Sequence, residues 1–240
     1  MEINEQDYSA QAEKLLDEAE QEPKLLFKFK SVESAIDLVR FIDIITEHKI
    51  YVPTVEQLND SLEGKGTLIL GKEKADPDKR RIFSLSSSCF SPVMWSHYGN
   101  NRHGACIGFF KGNPLKPDNK STFRDAREVM YVDNRNVWSG DVDMAIDEDL
   151  FHKNADWTYE KEWRILSSND ELKFEEEDIA CVILGEKMDD KTKEHIESNI
   201  RSLPVYYADN DPERYCYYLK DKSGSKFYTV EELYEDVKKK

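Results

Sequence analysis

What this sequence has little of sets the first limits. Cysteine occurs four times in 240 residues, and none of Cys89, Cys106, Cys181 and Cys216 forms a C-x-x-C pair. A disulfide framework and a zinc ribbon are both disfavoured. Cys89, Cys106 and Cys181 instead lie in apolar, strand-like runs, where a reduced thiol acts as a small hydrophobe. No apolar run approaches the ~18 residues that a membrane span needs. The acidic start, Met1 to Lys14, has neither a basic n-region nor an apolar h-region, so the chain reads as cytoplasmic. Basic residues are outnumbered, 34 Lys+Arg against 49 Asp+Glu, for a formal charge of −15. Non-specific nucleic-acid binding, which depends on neutralising phosphates, is excluded, although a local basic pocket is not. Also missing are a Gly-rich phosphate loop, a G-x-S-x-G elbow, an H-E-x-x-H pair and a kinase signature.

What is present is core material in a polar chain. Hydrophobic residues make up 39% and charged residues 35%, and the 11% aromatic content supplies bulk to bury. Residues 1–22 carry eight acids and one lysine, with Tyr8, Ala12, Leu15, Leu16 and Ala19 at helical spacing. They predict an acidic amphipathic helix ahead of one domain over residues 23–240. That helix lies either on its own domain, across a homodimer, or on a protein partner.

Within the domain, Leu25–Phe29, Lys49–Val52, Ile82–Phe90, Gly104–Phe110, Glu128–Val132, Tyr159–Leu166, Ile179–Leu184, Pro204–Ala208 and Tyr215–Leu219 read as strands. Helices are predicted from Ser31 to His48, over the short Pro92–Tyr98, through the acidic 139–156, from Asp189 to Arg201, and after Thr229. Thr229 and Glu232 form a capping box there. Helices and strands do not alternate strictly. The fold class expected is α+β, a single domain on a mixed, mostly antiparallel sheet with flanking helices.

Three polar clusters interrupt the apolar pattern. In the first, Asn59-Asp60-Ser61-Leu62-Glu63-Gly64, the residues suit an ordinary turn or a loop that aims Asp60 and Glu63 into a cleft. The second runs from Ser86 to Gly104. It gathers Trp95, His97, Tyr98, Arg102 and His103, with rings able to clamp a base and cations able to meet a phosphate. The plainer account has Trp95 and Tyr98 anchoring the short helix. His97 and His103 are six apart, which is not a helical metal-ligand spacing, and no metal site is assigned. The third is Trp157–Leu166. On a strand, Glu160, Glu162 and Arg164 share one face, with the carboxylates roughly 6–7 Å apart along it. They form either a face of internal ion pairs or a catalytic Glu pair steadied by Arg164. Such a pair suits cleavage of an N-glycosidic bond through an oxocarbenium-like centre.

The series Phe27-Lys28-Phe29, Leu58-Asn59-Asp60 with Glu63-Gly64, Cys89-Phe90-Ser91, Trp95-Ser96-His97-Tyr98, His103-Gly104 with Cys106-Ile107-Gly108-Phe109, and Trp157 with Tyr159-Glu160-Lys161-Glu162-Trp163-Arg164 resembles a widespread bacterial family of uncharacterised domains. The resemblance covers about residues 24–185. It implies a cytoplasmic prokaryotic or phage-related protein of the stress or defence kind. The Glu160-x-Glu162 pair is also similar to the E-x-E element of the ADP-ribosyltransferase superfamily. That likeness implies NAD held by Lys28 on the first strand and by Ser86 or Ser88 on a later one. Lys28 stands where that superfamily has Arg or His.

The leading expectation is a transferase or glycohydrolase of the ADP-ribosyltransferase kind, acting on a small-molecule nucleotide. Glu162 would orient the ribose and Glu160 would activate the acceptor. His97 joins them as a catalytic candidate and, with Tyr98 and Arg164, would hold the dinucleotide. Lys28, Asn59, Asp60, Glu63, Ser88, Trp95, Arg102 and His103 complete the binding set. The alternatives are a non-catalytic sensor of a nucleotide or protein, and a metal-dependent nuclease using Asp60, Glu63, Glu160 and Glu162 with Mg²⁺.

Overall fold

Alternation of side chains along an extended backbone sorts this chain into two cores. The computed structural model describes residues 22–60, 62–64, 80–134, 142–211, 215–224 and 226–239. Its strands are β1 Leu25–Lys30, β2 Lys49–Tyr51, β3 Arg81–Ser86, β4 Ala105–Phe110, β5 Arg127–Glu128, β6 Met130–Val132 and β7 His152–Asn154, then β8 Glu162–Ser167, β9 Glu171–Lys173, β10 Ile179–Leu184, β11 Val205–Asn210, β12 Tyr217–Lys220 and β13 Phe227–Tyr228. Nine of them form one sheet in the order β13-β12-β11-β10-β4-β1-β3-β8-β5. Within it only β10 and β11 run parallel. The domain is therefore α+β on a mixed, mostly antiparallel sheet.

Both faces of that sheet are covered. Leu26, Ile107, Phe109, Val182 and Leu184 point to one core, and Phe27, Phe29, Cys106, Cys181 and Ile183 point to the other. This explains why β4 and β10 read as continuous apolar runs rather than alternating ones. Helix α1 Ala35–Thr46 buries Phe41, Ile44 and Ile45 on the first face, where α4 Asp190–Asn199 adds Ile196. The second face takes Met94 and Trp95 from α2 Pro92–His97 and Leu233 and Val237 from α5 Val230–Val237. Helix α3 Val142–Asp149 closes a smaller cluster with Ile146 beside Ile82. Cys89, Cys106 and Cys181 are buried in the second core, outside any disulfide.

Four local expectations change. Helix α1 begins after Ser34 rather than Ser31, because Ser34 and Asp37 satisfy each other's backbone N–H groups in a capping box. The Glu128–Val132 run splits at buried Val129 into β5 and β6, which join different sheets. Among the described residues of the acidic 139–156 stretch the α-helix covers α3, His152–Asn154 is strand β7, and a 3-10 turn begins at Ala155. Strand β8 starts at Glu162, not Tyr159, because Ala155–Glu160 forms a 3-10 turn that ends on Lys161 at φ 45°. The expected helix over residues 1–22 lies outside the described residues except for Glu22, whose carboxylate is 2.8 Å from the Lys111 ammonium. Among the described residues no helix is long and apolar enough to cross a membrane.

Candidate functional site

The site begins at a flaw in the sheet. Strand β1 is paired with β4 along its whole length, but it meets β3 only where Phe27 faces Ser86. Beyond that pair the two strands separate, and the Ser84 carbonyl would be left without a ladder donor. Lys28 fills the gap, its Nζ donating to the Ser84 carbonyl at 2.7 Å and lying 5.0 Å from the Phe83 ring centre. A cavity of about 190 Å³ opens at this divergence, on the Ser84 and Ser86 side of β3. Lys28, Glu63, Tyr98, Lys153, Glu160 and Glu162 give it a polar wall, while Asn59 and Gln57 stand exposed at its rim.

Behind that wall is a buried network of charges. Arg164, only 1% exposed, donates from Nε to Glu162 Oε1 at 2.7 Å and from Nη2 to Glu162 Oε2 at 2.8 Å. Its Nη2 also bonds Glu63, and its Nη1 donates to the Leu150 carbonyl at 2.5 Å. Lys153 Nζ sits among three carboxylates, 2.5 Å from Glu160, 3.0 Å from Glu162 and 3.6 Å from Glu63. The other Glu160 oxygen accepts from the Tyr98 hydroxyl at 2.5 Å. Backbone bonds fix the frame: Ser86 Oγ donates to the Glu160 carbonyl at 2.6 Å, and the Glu162 N–H donates to the Tyr131 hydroxyl at 2.8 Å. Planar Arg164 suits the centre of such a network because its fork meets one carboxylate with two parallel bonds.

The same burial acts in opposite senses on neighbouring groups. Desolvation alone would raise the Glu162 carboxyl, but the Arg164 charge and hydrogen bonds, helped by Lys153, hold it well below the usual range. Glu63 goes the other way, because its burial outweighs the pull of Arg164 and Lys153. Burial should lower the Lys153 ammonium, yet Glu162, Glu63 and Glu160 together raise it. Lys28 lacks this support. Burial first, and then the nearby charge of Lys30, lower it from 10.5 to about 8 against weaker attraction from Glu162 and Glu160. Tyr98 is raised by burial and by its bond to Glu160, so it stays a phenol donor.

Of the residues singled out in the sequence, Lys28, Asn59, Glu63, Tyr98, Glu160 and Glu162 come together on the cavity, with Arg164 behind them. Strand alternation does not pair Glu160 with Glu162, because β8 does not reach Glu160. The turn at Lys161 brings both carboxylates to one lysine instead. Asp60 is buried beside the cavity wall, where its carboxylate accepts from the Leu62 N–H at 2.8 Å as an Asx turn. Ser88 also serves a turn, its hydroxyl accepting from the Phe90 N–H.

The Trp95–His103 segment largely departs from the expected clamp. Trp95 is fully buried, donates to the Cys89 carbonyl at 2.8 Å and meets Phe29 edge-on at 5.1 Å, so it anchors the core. His97 is exposed against Tyr159, with its Nδ1 3.3 Å from that hydroxyl. Arg102 pairs with Glu186 at 3.6 Å, and exposed His103 is bound to the Asn100 carbonyl of its own turn. None of Trp95, His97, Arg102 and His103 lines the cavity. The expectation that His97 and Arg102 or His103 share a pocket with Glu162 is thereby corrected. Asp60, Glu63, Glu160 and Glu162 do not form a metal-ligating group among the described residues, because Lys153 and Arg164 occupy the space between the carboxylates.

Lys153 and Tyr131 are the participants that the sequence did not reveal. Lys153 carried one signal: it is the single lysine in the acidic stretch from residue 139 to 156. Tyr131 carried none, since a tyrosine in a strand is ordinary core material. The segment from α2 to β8 holds most of this machinery. Residues 94–165 match the model of a family described as a protein of unknown function, DUF2971. That description carries no activity. The matched stretch includes Tyr98, Lys153, Glu160, Glu162 and Arg164 but neither Lys28 nor Glu63. No curated protein and no solved structure matches the chain.

Proposed function

We propose that the cavity takes the ribosyl part of a small nucleotide, of the NAD class, and that the chain cleaves or transfers at its N-glycosidic bond. The observation that carries this reading is the position of Glu160. Its carboxylate lies in the cavity wall, pinned from both sides by Tyr98 and Lys153, with Glu162 next to it. In the step envisaged, the bond from ribose C1′ to the base breaks and its electron pair leaves with the base. The carboxylates of Glu160 and Glu162 favour the positive charge that develops on the sugar. A water or an acceptor hydroxyl then adds at C1′ and gives its proton to Glu160.

Glu162 has a narrower role here than the sequence suggested. Both its oxygens already meet Arg164, so it contributes negative potential rather than a free hydrogen-bond acceptor. The volume of about 190 Å³ lies below the roughly 300–1,000 Å³ of sites that enclose drug-sized ligands. The cavity suits one nucleoside arm, with the rest of a dinucleotide outside past Asn59. Incubating the chain with NAD and with simple nucleosides, followed by chromatography and mass analysis, tests this. Base release or ribosyl transfer is expected, and its loss in Glu160→Gln. No product from any of these nucleotides overturns the reading.

A sensor that binds without reaction is the second reading. The closed ion network favours it, since a group already satisfied by the protein has little left to offer a substrate. Ligand binding without turnover, measured by calorimetry in the same set of nucleotides, would select it.

A further inference from the structure

Two lysines reach the same cavity, and they are not equivalent. Lys153 is enclosed by Glu63, Glu160 and Glu162 and is held as a cation. Lys28 makes no ion pair among the described residues, and its nitrogen is held by a single bond to the Ser84 carbonyl. A neutral amine that donates one hydrogen to a carbonyl keeps its lone pair free. Lys28 is half-buried as a residue and belongs to the lining of the cavity that Glu160 and Glu162 also line. A desolvated lysine in a partly apolar pocket is the environment that activates an amine as a nucleophile.

We infer that Lys28 is a covalent attachment site for small aldehydes, of the size and polarity of an open-chain sugar fragment, through an imine. The amine lone pair adds to the carbonyl carbon as the C=O π pair moves to oxygen. The resulting carbinolamine loses water, leaving R–CH=N–Lys28, with no net oxidation or reduction. Glu160, across the same cavity, is the nearby group able to carry the proton from nitrogen to the departing oxygen. The charged and titratable groups that act on the Lys28 nitrogen are Lys30, Glu162, Glu160 and Cys106. Burial and Lys30 favour the neutral amine, and the other three oppose it more weakly. Relative to an ordinary lysine at 10.5, an amine at about 8 is neutral roughly 300-fold more often at pH 7.

This inference does not depend on the nucleotide reading, and its test uses no nucleotide. The folded full-length chain is treated with dilute glycolaldehyde and cyanoborohydride at pH 7, and hydroxyethylated lysines are located by peptide mass mapping. Lys28 is expected to be modified at least about tenfold faster than exposed Lys120, the gain in neutral amine being partly offset by restricted access. The advantage should vanish when the chain is unfolded in guanidinium chloride. The Lys28→Arg variant, checked for native circular dichroism, should lose the adduct from that peptide alone. If Lys28 reacts no faster than Lys120 in the folded chain, or equally fast folded and unfolded, the inference is overturned.

Discussion

A lysine buried without a counter-charge leaves a signature in the pH dependence of stability, and Lys28 provides the test. Its amine titrates at about 8 in the folded chain and near 10.5 when solvated. Between those values the unfolded chain binds the extra proton and the folded chain does not, so folding becomes more favourable as pH rises. Below about pH 8 both states are protonated and the burial cost is constant and fully present. At 1.36 kcal/mol per pH unit, the gap between 10.5 and about 8 corresponds to about 3 kcal/mol. The perturbation is Lys28→Met, which keeps the stem and removes the charge. It also removes the donor to the Ser84 carbonyl, which costs about 1–3 kcal/mol at every pH and so shifts the comparison without changing its slope. Urea unfolding of both proteins from pH 7 to pH 10.5 reads the difference. Wild type is expected to gain about 3 kcal/mol on the variant across that window, nearly all of it above pH 8. Titrations of tyrosines and other lysines cancel between the two. A difference that stays flat from pH 7 to 10.5 would refute the claim that Lys28 is desolvated and unpaired.

Arg164→Met should lower stability by about 3–5 kcal/mol, because Glu63 and Glu162 would be left buried with only Lys153 between them; a loss below about 1 kcal/mol in thermal melting would mean that the network is solvated. Glu162→Gln should behave likewise and for the same reason, as a change of stability before it is a change of activity. Glu160→Gln keeps its size and can still bond Tyr98 and Lys153, so it should melt nearer to wild type than Arg164→Met while losing base release; equal destabilisation of the two would make Glu160 a structural residue. Gly185→Ala places a Cβ 2.3 Å from the Arg102 carbonyl and 2.7 Å from that of Gly104, with backbone on both sides. It should cost about 1–3 kcal/mol as an overpacked contact, and unchanged urea stability would show that the Arg102 turn yields freely.

The parts of this fold that could be read in advance are those written in local pattern. Ile179–Leu184 announces a strand covered on both sides because no polar residue interrupts it. Thr229 and Glu232 specify a helix start by their own hydrogen bonds. Pro92 marks the first turn of α2. Local pattern misleads where a distant contact competes with it. Tyr159–Leu166 alternates well enough to be a strand throughout, but Lys161 adopts a left-handed φ of 45° that its side chain does nothing to advertise. Trp95 and His97 lie two positions apart in sequence and so read as one cluster. A helix turns their side chains to different surroundings, one into the core and the other to solvent.

The charge network shows most clearly why a site can be half visible. Glu63 and Arg164 are separated by 101 residues and Lys153 lies on a third element, so no spacing rule connects them. The carboxylates could be singled out as unusual, but only the fold says which of them are neutralised. With the cations located, the roles divide. Glu162 has both oxygens in the Arg164 fork and works mainly as scaffold, the use in which a buried ion pair adds specificity rather than net stability. Glu160 is bonded by two neighbours but faces open space, and Lys28 faces the same space with its charge weakened. Groups whose environments push their proton affinities apart are the usual basis of acid–base work in one cavity. Lys28 and Lys153 form such a pair within a single fold: three carboxylates hold one amine as a cation, while burial and then the charge of Lys30 lower the other to about 8.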